Sequence, residues 1–150
     1  MGIKKGLKPK ISKAKIAENR GECVCHSHPV FCFKYLTTNS NYNFDFFGKD
    51  TNKRRDASVA LIERLEEISK LDWKEFYLCD KKHGCETMDI TFLNFKICDE
   101  LRSTLTNDTK FLSIRFKNQK YRLIGIRKST CAVLHIIGYD FDYSAYNHGS

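Results

Sequence analysis

Residues 110–146 read KFLSIRFKNQKYRLIGIRKSTCAVLHIIGYDFDYSAY, and this stretch decides the fold. Leu112, Ile114 and Phe116 alternate with Ser113, Arg115 and Lys117, the period-two pattern of a strand with one face packed and the other wet. Asn118-Gln119 is a polar break of hairpin length. Residues 121–127 then continue with Leu123, Ile124 and Ile126, rich in β-branched and aromatic side chains. After the break Lys128-Ser129-Thr130, the run CAVLHIIGY is apolar on both sides except for His135, which predicts the most buried strand of the three. Three antiparallel strands joined by tight turns follow from this pattern. No carboxylate occurs from Thr109 to Tyr139, whereas Lys110, Arg115, Lys117, Lys120, Arg122, Arg127 and Lys128 are all cationic. The sheet is therefore expected to present one positive surface.

Charge elsewhere is uneven. The chain of 150 residues has a formal charge of +8, with +6 in residues 1–20, −3 in 21–108, +7 in 109–139 and −2 in the last eleven. Cations concentrated in a tail and one group of strands favour a polyanionic partner, RNA or DNA. A hydrophobic content of 41% fits one folded domain over 21–150, preceded by a flexible basic arm over 1–20. Seven cysteines, an odd number, with no apolar leader suggest free thiols and a cytoplasmic location. No run approaches the ~20 apolar residues of a membrane span.

Cys23, Cys25, His26 and His28 carry the ligand types that zinc prefers, but four ligands drawn from six residues crowd a tetrahedral ion and no second pair closes a site. Neither a metal nor another cofactor is assigned. Val30 to Leu36 and Tyr42 to Phe47 read as a hairpin or one interrupted edge, with Phe31, Phe33, Tyr35, Phe44 and Phe46 as packing residues. Asp50-Thr51-Asn52 caps a helix whose Leu61, Ile62, Leu65 and Ile68 share a face while Arg64 points elsewhere. Lys53, Arg54 and Arg55 stand in its first turn against the helix dipole, a placement that suits phosphate contact. Asp72 caps a short second helix, residues 90–97 offer one more strand, and 99–105 offer a further helical turn. Asp140 and Asp142 read most economically as turn and capping residues.

The order strand or hairpin, helix, helix, then three strands, together with KYRLIGIRKSTCAVLHIIGYDFDYSAY, resembles the RelE/ParE-like toxin superfamily of small ribonucleases and gyrase poisons. Tyr121-Arg122 and Asp140 to Tyr146 stand where that family carries a Tyr-Arg pair and an Asp-x-Asp/Asn-x-x-x-Tyr run. Related sequences often have His where Tyr143 stands. The resemblance implies an α+β fold, an antiparallel sheet with two or more helices packed on one face. It also implies a neutralising antitoxin protein, and RNA or the ribosome as the target.

For RNA cleavage the economical chemistry is metal-free: the ribose 2′-OH attacks the adjacent phosphate, which needs a base, an acid and cations aimed at the growing charge. Arg115 and Arg122 are the candidates for charge stabilisation, Lys117 or His135 for proton transfer, and Tyr146 or His148 for orientation or protonation. Lys53, Arg54, Arg55, Lys110, Lys120, Arg127 and Lys128 are candidate nucleic-acid contacts. The alternative is a non-catalytic inhibitor whose basic face engages nucleic acid or a nuclease complex.

Overall fold

A computed structural model describes residues 27–148. In chain order these form strand β1 (Val30–Cys32), helices α1 (Thr51–Ser69) and α2 (Trp73–Leu78), strand β2 (Cys85–Asp89), helix α3 (Asp99–Arg102), and strands β3 (Lys110–Phe116), β4 (Tyr121–Arg127) and β5 (Val133–Asp140). The class is α+β. The sheet is mixed, in the order β1-β5-β4-β3-β2, with β1 parallel to β5 and every other pair antiparallel. The basic arm and Cys23, Cys25 and His26 lie outside the described residues.

Local chemistry sets the turns. Lys117, Asn118 and Gln119 all have positive φ (52°, 51° and 66°), and Lys120 N donates to Lys117 O at 3.0 Å. Left-handed central residues match the twist of a two-stranded ribbon, and Asn tolerates them best among residues with a side chain. Asp50 caps α1 by accepting from Lys53 N at 3.0 Å. Asp72 and Glu75 form a reciprocal capping box on α2, with bonds of 2.8 and 2.9 Å.

Both faces of the sheet are covered, where the alternation of residues 111–117 had predicted one wet face. On one face, Leu112, Ile114, Leu123, Leu134 and Ile136 pack against α1 through Leu61 and Ile68 and against α2 through Trp73 and Phe76. The opposite face has Phe111, Ile124, Ile126 and Ile137 covered by Ile90, Phe95 and Ile97 of the segment leading into α3 and by Leu101 of α3 itself. Helices therefore contribute to both faces. The most buried strand is β4, not β5, because β4 lies at the centre of the sheet between β3 and β5. Residues 40–47 make two 3₁₀ turns instead of a second strand, and 90–97 open with a 3₁₀ turn while the strand precedes them at β2. In α1, Ile62 is exposed and Arg64 is buried, the reverse of the expected assignment. Phe33 and Phe46 are exposed at 44% and 37%, so neither is a core residue. No helix among the described residues is long and apolar enough to cross a membrane.

One irregularity places the site. The β4–β5 register moves from Ile124↔Gly138 to Gly125↔Ile136, leaving Ile137 as the extra residue of a bulge. Strict alternation from His135 would send Asp140 to the face that carries α1. The bulge re-phases the strand, so Asp140 shares the opposite face with its partner Arg122. Gly138 is needed here because a Cβ would meet the Phe95 ring at 2.8 Å.

Candidate functional site

The face opposite α1 carries a polar row in which Arg115 pairs across with Arg122, and Arg122 with Asp140. Arg115 donates from Nη2 to Glu86 Oε1 at 2.8 Å and from Nη1 to Gln119 Oε1 at 3.2 Å. Arg122, 6% exposed, donates from Nη1 to the carbonyls of Gln119 at 2.6 Å and Tyr121 at 3.3 Å. The Nε atoms of both arginines are buried and bond to nothing among the described residues. Two guanidinium groups on neighbouring strands repel; Glu86 pairs with Arg115, while Arg122 has the buried Asp140 as its register partner on the same face.

The C-terminal segment closes over this row. Asn94 fixes it by donating from its backbone N to Ala145 O and from Nδ2 to Ser144 O, both at 2.8 Å, and Leu93 bridges to Tyr146. Tyr146 is buried; its hydroxyl lies 2.6 Å from Ser113 Oγ and its ring stacks on His148 with centroids 4.1 Å apart. Burial pushes the Tyr146 hydroxyl pKa up despite the Ser113 bond and the nearby Arg122, so the phenol stays protonated. His148 Nε2 lies 3.1 Å from Asp140 Oδ2. Asp140 Oδ1 in turn accepts from Ser144 N at 3.0 Å and Asp142 N at 3.4 Å, which is the turn role expected of it. Tyr143 holds a positive φ of 62° and keeps its exposed ring 5.1 Å from the Arg122 guanidinium. Glu86, Tyr146 and His148 all line one depression of about 500 Å³ at the β2 edge, with Lys81 at its rim.

Of the expected site residues, Tyr146 and His148 line the depression, Arg115 reaches it through Glu86, and Arg122 lies beside Tyr143, whose ring is 5.3 Å from His148. Glu86 and Asp140 join them without having been singled out for chemistry, since a carboxylate on a separate strand leaves no local signal. Lys117 and His135 lie apart from Tyr146 and His148. Lys117 sits in the turn and lines, with Arg64, His83 and Arg115, a cleft that His148 and Tyr146 do not line. His135 lies opposite Ile126, four residues along β4 from Arg122, about 13 Å away; its ring packs 5.2 Å from Tyr35.

Burial lowers the His135 pKa, with Lys128 adding to the effect, and its Nδ1 is buried without a partner among the described residues. A folded-state value below the ordinary 6.5 means that the unfolded chain takes up the proton first, so stability falls as pH drops through 6.5. We expect the urea midpoint to fall between pH 7 and 5, and to fall less in His135→Phe. Identical slopes in the two proteins would place the acid sensitivity elsewhere.

The single basic surface does not form. Lys110 and Arg127 lie by parity on the α1 side, opposite Arg115 and Arg122. Lys117 and Lys120 occupy the turn at one end of the sheet, and Lys128 begins the turn at the other. Lys110 lies 3.8 Å from Asp89. Lys120 lies over Tyr121, and Arg127 is stacked 4.1 Å from the Trp73 centroid. Lys53, Arg54 and Arg55 are exposed in the first turn of α1, where Lys53 and Arg55 face Asp50 and Asp56 at 3.9 and 3.7 Å. Of the metal candidates, His28 is described, and its Nδ1 lies 2.9 Å from Leu71 O.

No family model, curated protein or solved structure matches the chain.

Proposed function

We propose that this chain is an endoribonuclease that cleaves RNA without a metal, in the manner its resemblance to RelE/ParE-like toxins implies. The observation that carries the reading is the depression in which an imidazole braced by the buried Asp140 shares its walls with the Glu86 carboxylate, beside the paired Arg115 and Arg122. Glu86 takes the proton from the ribose 2′-OH. The 2′-oxygen then attacks the adjacent phosphorus, and the negative charge that develops on the phosphoryl oxygens is met by the two guanidinium groups. Protonated His148, held by Asp140, gives its proton to the departing 5′-oxygen. The products are a 2′,3′-cyclic phosphate and a 5′-hydroxyl.

In this reading the protein acts on message, free or on the ribosome, in the cytoplasm, and an antitoxin protein neutralises it by covering the depression. The test is end-mapping of RNA incubated with purified protein in the presence of a chelator. Cyclic-phosphate and 5′-hydroxyl ends formed at an undiminished rate are expected; 3′-hydroxyl and 5′-phosphate ends would overturn the mechanism. Burial of Arg122 and the Arg115–Glu86 ion pair favour a second reading, a non-catalytic binder. A binder leaves the RNA intact in the same assay.

A further inference from the structure

A second cleft, of about 450 Å³, lies at the other end of the sheet, where Lys110 begins β3, Arg127 ends β4 and Lys128 starts the next turn. All three cations line it. Among the described residues its remaining lining includes five Ser and Thr residues and no carboxylate. Arg127 is already held: its guanidinium rests on Trp73, and its Nε donates to Cys131 O at 2.5 Å. A cation fixed in this way loses little side-chain entropy when an anion arrives. The Lys110–Asp89 ion pair is loose, at 3.8 Å between half-exposed side chains, and contributes little that a phosphate does not replace. Tyr77, 44% exposed, adds a ring at the cleft wall.

The cleft and the Glu86–His148 depression meet. Thr87 lines both, is exposed, and sits on β2, one of the two edge strands of the sheet. About 17 Å of strand separates Lys110 from Arg115. An extended nucleic-acid strand crossing the edge at Thr87 reaches both regions, whereas a duplex, stiff over some 150 base pairs, does not turn from one face of a sheet to the other.

We propose that the cleft formed by Lys110, Arg127 and Lys128 is a phosphate-binding subsite for single-stranded RNA, which passes over Thr87 into the Glu86–His148 depression. The direction of the path rests on the RNA-cleavage reading; the anion site rests on the cleft alone. The probe is a fluorescent 2′-O-methyl RNA of about ten nucleotides, which has no free 2′-OH and cannot be cleaved, and binding is read by anisotropy across a salt series. Lys110→Ala/Lys128→Ala is expected to bind about tenfold more weakly, with the salt slope reduced by about 1.4, since each single-strand phosphate contact contributes about 0.7. The control pair Lys34→Ala/Lys96→Ala, exposed lysines outside the cleft, is expected to bind as wild type does. Equal affinity in the cleft variant, or an equal loss in the control pair, overturns the subsite. If the cleft variant loses binding while wild type leaves unmethylated RNA intact, the subsite stands and the cleavage reading fails. If unmethylated RNA is cut and both variants bind as wild type does, the cleavage reading stands and the subsite fails.

Discussion

His148→Gln is expected to lower the rate of RNA cleavage by about 10²- to 10⁴-fold, the usual contribution of a positioned general acid, with little change in thermal stability. The substitution is chosen so that chemistry and folding separate. Glutamine keeps an N–H donor within reach of Asp140 Oδ2, where His148 Nε2 now lies at 3.1 Å, so the buried carboxylate is not stranded. What it lacks is a proton that it can give up to the leaving oxygen. Arg122→Ala would make a poorer test, because Arg122 is 6% exposed and donates to the carbonyls of Gln119 and Tyr121, and its loss would disturb the turn as well as the chemistry. Glu86→Gln is the companion variant. It is expected to lower the cleavage rate by a similar factor, since no carboxylate base then faces the ribose 2′-OH. A folded His148→Gln protein that cuts RNA at the wild-type rate removes His148 from the mechanism and leaves the binder reading.

How far this site could be read from the chain depends on the distance over which each contact acts. The hairpin of β3 and β4 was legible because alternation and the Asn118-Gln119 turn are local, and the two larger helices were legible because Asp50 and Asp72 lie beside what they cap. Arg115, Arg122, Tyr146 and His148 were found through charge pattern and resemblance. Glu86 was not, because it reaches Arg115 only through the β2–β3 pairing, 29 residues along the chain. Nor was the parallel pairing of β1 with β5 legible, since it joins Val30 to Val133 with no local pattern to announce it. The bulge at Ile137 was equally hidden, and it governs parity: one extra residue decides which face Asp140 occupies. The same parity rule, read without its neighbours, predicted a wet basic face. It failed because residues 90–101 return to cover that face, and because Lys110 and Arg127 fall on the other side.

Arg64→Met is expected to destabilise the fold by about 3 kcal/mol, a large part of the 5–15 kcal/mol typical of a domain. Arg64 lies on a helix rich in exposed charge, yet it is 9% exposed. Its Nε donates to Arg115 O at 2.9 Å, and its Nη2 donates to His83 O at 2.5 Å and more weakly to Gly84 O at 3.4 Å. The register explains the need. β2 begins with Cys85 opposite Ile114, so Arg115, the next residue of β3, has no β2 strand residue beside it. The guanidinium supplies the donor that an extra residue of β2 would have given, and it joins α1 to the loop that leads into Glu86. Methionine fills the same space but leaves those carbonyls without this donor, a cost set by desolvation and not by lost packing. Arg64→Lys is expected to recover less than half of the loss, because one ammonium cannot match a planar fork aimed at separate carbonyls. Urea denaturation checks both variants through the midpoint at constant slope. A midpoint unchanged in Arg64→Met would mean that water serves these carbonyls equally well, and that the entrance to β2 is held by the strand ladder alone.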